Sequence, residues 1–457
     1  MNGLKIFSKA LVFYVLFFDA TFLRADAYVT NNSSNTVSVI DTTTDGLIAN
    51  ISVGSQPFFV AITPDQTRAY VSNGDNTVSV IDTATNSVIS TIAVGVSPFF
   101  IVATPDSSEV YVANFGSNDV SIIDTATNLV IATVPVGAQP QYLAVTPSGD
   151  RVYVANTASN DISVIDTTTH LVISTIPVGL LPIFVAVTPD GSQAYVTNNS
   201  DGTLSAIDTT TLTVTSTIPV GVAPFFVVVT PNSAQAYVSN SADNTVSVVD
   251  TLLNSVTATI SVGSTPEYLA VTPNGLEVYV PNNGDMTVSV IDTSLNMVIA
   301  TVSVGMNPTV IGITPDGLQA FVTNNGEMSV SAIDTTTHLV AATIGVGIAP
   351  IDVAFTAAFP PPPPQVLVTG KQKKMVFLLQ TERENVINWQ LPSAITPISY
   401  SIYRDAALTD LAGTVPAEKL FFKDHNRTKN KVYTYYIVAV TETSGQFLIG
   451  NVTVFPP

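Results

Sequence analysis

The sequence predicts an all-β fold, an eight-bladed β-propeller of four-stranded antiparallel blades, and three observations predict it. An aromatic residue recurs at Tyr28, Tyr70, Tyr111, Tyr153, Tyr195, Tyr237, Tyr279 and Phe321, at intervals of 42 residues with one of 41. Each interval contains four short runs of β character, the signature of one propeller blade. No window shows sustained helical periodicity, while Val, Thr, Ser and Asn dominate, a composition suited to strands with hydroxyl-rich faces.

Taken in chain order, the first 27 residues have the layout of a secretory leader. Lys5 and Lys9 precede an apolar run at 10–18, and Ala25-Asp26-Ala27 is a small-x-small cleavage motif. That run is far shorter than the ~20 residues a membrane-spanning helix needs. No other stretch is long and apolar enough, so the mature chain is expected to carry no membrane span. The expected location is outside the cytoplasm: extracellular, at the cell surface or periplasmic. The absence of cysteine fits export and excludes disulfide staples, thiol catalysis and Cys-based metal sites.

The repeat occupies 28–356. Tyr-Val-x-Asn and Thr-Val-Ser-Val-Ile-Asp both alternate apolar and polar residues, as half-buried strands do. A third run, such as 171–176, leads into Val-Gly, whose glycine is expected to free the chain for its crossing to the next blade. The fourth run follows a proline, as in Pro182-Ile183-Phe184-Val185-Ala186-Val187, and is continuously apolar, which places it at the inner edge along the central channel. Thr-Pro-Asp or Thr-Pro-Asn then turns the chain back, proline presetting φ at the second turn position. Prolines from Pro57 to Pro308 each open one of seven complete blades. The chain enters at Tyr28 with three strands of an eighth, whose missing inner strand is supplied by Pro350-Ile351-Asp352-Val353-Ala354-Phe355. Such closure removes a free sheet edge. A seven-bladed ring is the alternative.

Tyr195-Val196-Thr197-Asn198, Ile165-Asp166-Thr167 and Thr188-Pro189-Asp190-Gly191 resemble the YVTN-type β-propeller repeats of surface-layer and secreted proteins. Some copies depart from that pattern: Phe321 replaces the tyrosine, Pro281 interrupts Tyr-Val-Pro-Asn, and the last copy ends Phe355-Thr356-Ala357. The resemblance implies an exported binding or scaffolding protein and carries no single activity.

Residues 357–365 include five consecutive prolines, read as a stiff polyproline linker of roughly 15 Å. Residues 366–457 contain short β runs around Trp389, Tyr400 and Tyr433. They resemble a fibronectin type III sandwich, with Trp389 as core filler and Tyr433 as corner tyrosine.

Charge narrows the function classes. Residues 28–356 hold 25 acidic side chains against Arg68 and Arg151, within a chain of net charge −19. A surface this acidic repels phosphate backbones, so nucleic-acid binding is not expected. The three histidines are His170, His338 and His425. The first two occupy equivalent turns four blades apart and cannot share a metal, so they read as surface-turn residues. No phosphate loop, dinucleotide fingerprint or calcium loop is present, and no cofactor is expected; at Asp- and Asn-rich loops such as Asn73-Gly74-Asp75-Asn76 adventitious Ca²⁺ is the alternative, unsupported by a motif, and side-chain-capped turns explain these loops without an ion.

The channel mouth is the expected binding place, because side chains from every blade converge there. The position after each inner-strand proline holds Phe58, Phe99, Gln141, Ile183, Phe225, Glu267, Thr309 and Ile351. The next is Phe59, Phe100, Tyr142, Phe184, Phe226, Tyr268, Val310 and Asp352. Glu267 and Asp352, acids among apolar neighbours, are the candidate binding residues, with Gln141 behind them. The expected function is non-catalytic binding of a protein or glycan partner. A lactonase-like, metal-dependent hydrolase or lyase at the channel mouth is the alternative.

Overall fold

The computed structural model describes residues 25–356 in full and, beyond them, the backbone of seven strands between Thr369 and Val454. The leader before Ala25, the proline linker, Trp389 and His425 lie outside the described residues.

Residues Ala25–Ala358 form one compact unit. Eight four-stranded antiparallel sheets follow one another, seven of them entered from their inner edge. Blade 1 consists of Pro57–Ile62, Arg68–Asn73, Thr77–Asp82 and Ser87–Ala93, from inner to outer strand. Blades 2 to 7 repeat this order, their inner strands beginning at or just after Pro98, Pro140, Pro182, Pro224, Pro266 and Pro308. The last blade is composite: Gly46–Ser52, Thr36–Asp41 and Asp26–Asn31 receive Pro350–Phe355 as their inner strand. Ala27 faces Phe355, Tyr28 faces Ala354 and Val29 faces Val353 in that seam. The chain is an eight-bladed propeller closed by its own two ends.

The core lies between the blades. Tyr28, Tyr70, Tyr111, Tyr153, Tyr195, Tyr237, Tyr279 and Phe321 are all fully buried. Tyr195, for example, packs with Val227, Ala236, Val238 and Val249 of the following blade. Burying one such ring contributes about 1.5–3 kcal/mol, and the position recurs in every blade. Four of the tyrosine hydroxyls then bond a turn of the next blade: Tyr28 donates to Asn86 at 2.5 Å, Tyr70 to Asn128 at 2.8 Å, Tyr195 to Asn254 at 2.6 Å and Tyr237 to Asn296 at 2.7 Å.

These turn asparagines have positive φ, as do Asn35, Asn76, Asn118, Asn160 and Asn244 in the turns after the second strands. Asparagine tolerates that region better than most residues, which is a second reason the repeat is rich in it. The Val-Gly glycine works differently from the sequence expectation. It has no positive φ; instead a Cβ at Gly221 or Gly263 would lie 2.5 Å from the buried asparagine of the adjoining Tyr-Val-x-Asn strand. Asn240 Oδ1 accepts the Gly221 N–H at 3.0 Å, while its Nδ2 donates to Thr245 and Ser247. The glycine is needed for close approach, and conformational freedom is not its role.

Beyond the propeller, the strands Thr369–Phe377, Gln380–Asn388 and Phe421–Asp424 form one antiparallel sheet. Leu411–Pro416, Ser399–Tyr403, Tyr433–Val440 and Gln446–Val454 form another.

Candidate functional site

The inner strands bring the two post-proline positions together around the ring axis. A register shift between Pro57 and Val60, repeated in other blades, is a β-bulge. It breaks the usual alternation, so that two consecutive side chains can turn inward. Phe58 and Phe59 both contact Phe99, with ring centroids 5.5 and 5.1 Å apart.

Six consecutive blades contribute an unbroken aromatic series at the second position. Phe59 meets Phe100 at 5.1 Å, Phe100 meets Tyr142 at 4.9 Å, and Tyr142 meets Phe184 at 5.1 Å. Phe184 meets Phe226 at 3.8 Å and Phe226 meets Tyr268 at 5.1 Å. Tyr142 in blade 3 and Tyr268 in blade 6 then share a hydrogen bond, hydroxyl to hydroxyl, at 2.6 Å. That bond joins blades three apart and closes the aromatic series across the ring. The channel at this level is a packed plug.

Blade 6 departs from the other blades at its inner edge. Its inner strand is only Ala270–Val271, plus an isolated bridge from Pro266 to Asn282; in the other seven blades the strand is six residues long. Opposite the gap stands Pro281. Ala113 and Ala155 at the equivalent position leave their inner strands intact, so a missing hydroxyl alone does not explain the break. Proline removes a backbone N–H and adds ring bulk in mid-sheet. Leu269 thereby loses the pairing that Val60 keeps with Val71 in blade 1, while Glu267 and Tyr268 stand where the bulge leaves Phe58 and Phe59 unpaired as well.

The acids flank the plug. Asp352 on the closing strand is half-buried; its Oδ2 accepts the Val60 N–H of blade 1 at 3.0 Å, and its own N–H donates to Thr30 Oγ1 at 3.1 Å. Burial pushes its carboxyl up to about 6, against the downward pull of the Val60 and Val353 N–H groups. Burial likewise raises Glu267, itself half-buried. Tyr142 is raised by burial first, then by Tyr268, and then by the charges of Asp352 and Glu267. Burial and the same two carboxylates raise Tyr268, whose bond with Tyr142 pulls the other way. Both sequence-predicted acids therefore act electrostatically on one tyrosine pair. Gln141 is turned to its own blade, where its Oε1 accepts the Thr157 hydroxyl at 3.2 Å.

The tyrosine pair itself escaped the sequence reading. The available signal was that only two of the six aromatics carry a hydroxyl, and that they sit on opposite arcs of the ring. The histidines also have a role that a plain turn reading missed. His170 and His338 occupy turns at positive φ, and their Nε2 atoms bond Glu109 and Glu277 of the preceding blade at 2.8 and 2.9 Å. Those glutamates accept the hydroxyls of Tyr111 and Tyr279. Each histidine is thus a latch between blades. Among the described residues no group of three or more His, Cys, Asp or Glu side chains is arranged to hold a metal ion.

Two recesses lie away from the axis, near outer strands. One is lined by Pro219, Gly221, Asp243, Thr245 and Thr259, the other by Ser261, Gly263, Asp285, Thr287 and Thr301. Their carboxylates already accept the Val222 and Ser264 N–H groups.

No protein-family model matches the sequence, and no curated protein matches it. Solved structures do. Hydrazine synthase of Kuenenia stuttgartiensis is 23% identical over 61% of this chain and 95% of its own, with a TM-score of 0.52. The dihydro-heme d1 dehydrogenase NirN is 13% identical over 74% of this chain and 76% of its own, at 0.63. A protein of unknown function from Desulfotomaculum acetoxidans is 16% identical over 73% and 99%, at 0.53. At these identities the likeness is one of fold.

Proposed function

We propose that this chain is an exported or cell-surface, non-catalytic binding protein, with the propeller as a rigid platform for a protein or glycan partner. The observation that carries the reading is the plug. Aromatic rings and the Tyr142–Tyr268 bond fill the level of the channel where a catalytic cavity would have to open. Propeller architecture itself supports a platform role, since it holds many loops on one stiff ring. The YVTN-type repeats and the acidic surface favour an extracellular setting. The C-terminal strand order, first-second-fifth beside fourth-third-sixth-seventh, supports a fibronectin type III-like sandwich as a spacer or second adhesive unit.

The test is binding of the purified full chain to a glycan array and to a panel of immobilised envelope proteins, with cell fractionation alongside. Saturable binding that survives Asp352→Ala and Glu267→Ala supports a platform using the loops. A second reading, a lactonase-like hydrolase or lyase, draws on the clustered, upward-shifted Asp352, Glu267, Tyr142 and Tyr268, since such clusters concentrate at catalytic sites. Turnover of a lactone or uronate substrate, lost in Asp352→Ala, would move the conclusion to that reading.

A further inference from the structure

The turn between the second and third strands of each blade holds one residue at positive φ, and the copies differ there. Asn35, Asn76, Asn118, Asn160, Gly202 and Asn244 occupy it in six blades, Met286 and Met328 in the other two, at φ 55 and 56°. Asparagine and glycine suit that region, whereas a long apolar side chain held there costs free energy. The asparagines also cap the crossing that follows. Asn244 Oδ1 accepts the Thr265 N–H at 2.9 Å, and Asn35, Asn76, Asn118 and Asn160 act alike. Methionine has no carbonyl oxygen to offer the corresponding N–H groups, those of Asn307 and Ala349. Two adjacent blades thus forgo the better turn residue and its cap, and each presents a half-exposed methionine instead.

Further apolar side chains join these two on the face of the ring where the inner strands begin. The Met286 carbonyl accepts the N–H of Val304, two residues before Met306. The Met306 carbonyl accepts the Gly326 N–H, two residues before Met328, and the Met328 carbonyl accepts the Val346 N–H, two residues before Ile348. Met286, Met306, Met328 and Ile348 therefore follow one another along one hydrogen-bonded path, each 44–50% exposed. Elsewhere on that path asparagine or glycine interrupts the apolar residues in every blade. Asp285 and Glu327, both exposed, immediately precede Met286 and Met328. Between Arg151 and Lys371 the chain has neither lysine nor arginine.

We propose that this path is a docking surface for a cationic, amphipathic segment of a protein partner. The segment's apolar side chains rest on Met286, Met306, Met328 and Ile348, and its lysines or arginines stand beside Asp285 and Glu327. The proposal rests on the platform reading and gives it a face and a partner chemistry. Methionine is unbranched and polarizable, so it moulds to apolar side chains of uneven shape. Charge selects the occupant. A second copy of this chain, or an anionic lipid surface, brings negative charge to a negative rim and is repelled, whereas a basic segment is drawn to it.

The test uses the full chain and three short fluorescent peptides: alternating leucine and lysine, alternating leucine and glutamate, and alternating serine and lysine. Anisotropy titrations are expected to show saturable binding of the leucine–lysine peptide alone. Met286→Asn with Met328→Asn, and separately Asp285→Asn with Glu327→Gln, should each weaken it about tenfold. Equal binding of the serine–lysine peptide, or undiminished binding by the methionine variant, overturns the proposal. Sedimentation covers the other occupant: a self-associated parent that the methionine substitutions render monomeric overturns it in favour of a second copy. The same variant enters the glycan and envelope-protein panels. Binding there that it retains overturns this surface and leaves the platform standing, while no binding in any of these assays overturns both. Thermal melts check the physical ground and the folding of the variants. Asparagine restores the turn and the cap, so Met286→Asn and Met328→Asn are expected to melt at or above the parent's temperature, and lower midpoints overturn the proposal.

Discussion

Replacing Asp352 by Asn tests whether the channel acid is an electrostatic burden on the ring. Its carboxyl is pushed from 3.8 up to about 6 by burial. Folding therefore favours the protonated form, and the folded chain binds more protons than the unfolded one between those two values. The stability linked to this group is fully present below 3.8 and is lost as pH rises through 6. A shift of about two units at ~1.4 kcal/mol each sets an upper figure of about 3 kcal/mol, and the part-exposure of Asp352 brings it nearer 2 kcal/mol. Asn keeps one oxygen for the Val60 N–H and carries no charge. Asp352→Asn should match the parent near pH 3.5 and exceed it by about 2 kcal/mol above pH 7, a rise of a few degrees in Tm for a domain of this size. Thermal melts of both chains from pH 3.5 to 8 measure the gap, and other titrating groups cancel in the difference. A gap independent of pH, or a variant less stable at pH 8, refutes the reasoning; the latter would mean that the charge-assisted bond to Val60 outweighs burial.

Three further outcomes are expected. Tyr142→Phe or Tyr268→Phe alone strands one buried hydroxyl and should cost about 1–3 kcal/mol, while the double variant should cost little more than one single; denaturant unfolding of all four chains measures the coupling. Glu109→Gln or His170→Asn should each cost up to about 1 kcal/mol, and together they should recover most of it by recreating the Gln193–Asn254 pairing found between later blades, where Asn254 Nδ2 donates to Gln193 at 2.9 Å. Gly263→Ala should lose about 1–3 kcal/mol through its clash with Asn282, whereas Gly345→Ala, with open space around it and no positive φ, should be neutral or gain up to about 1 kcal/mol in the same unfolding assay.

The architecture was legible because each blade repeats one physical solution. A period of 42 residues, a proline opening each inner strand and a three-strand start completed at Pro350 leave few other ways to close the ring. What stayed hidden were contacts between repeats. Glu109 and His170 are 61 residues apart, as are Glu277 and His338, and Gln193 and Asn254 stand in the same relation. Reading one copy at a time cannot show that such residues were chosen as pairs. The Val-Gly glycine was misread for the same reason, since the atom that excludes a Cβ belongs to the neighbouring blade. Glu267 and Asp352 were legible as acids in apolar company. Their common target was not, because Tyr142 looked like one more aromatic filler.

A ring of eight identical blades would present eight equivalent surfaces and could discriminate nothing around its axis, so any discrimination there would have to come from the departures. Here the departures at the axis form a polar line through an apolar wheel. Pro281 faces the shortened inner strand of blade 6, beside the bulge that carries Glu267 and Tyr268; Tyr268 reaches Tyr142 in blade 3; and Asp352, on the strand that seals the ring, adds its charge to the same pair. Seven inner strands keep six residues each, their ladders interrupted only at the bulge after the proline, and hold these groups in place. The irregular strand is tolerated because the rest of the wheel fixes its ends, at Pro266 and at Ala270. The one proline in the middle of a Tyr-Val-x-Asn strand, Pro281, therefore stands in the blade that also carries Glu267 and Tyr268, two of the polar departures at the axis.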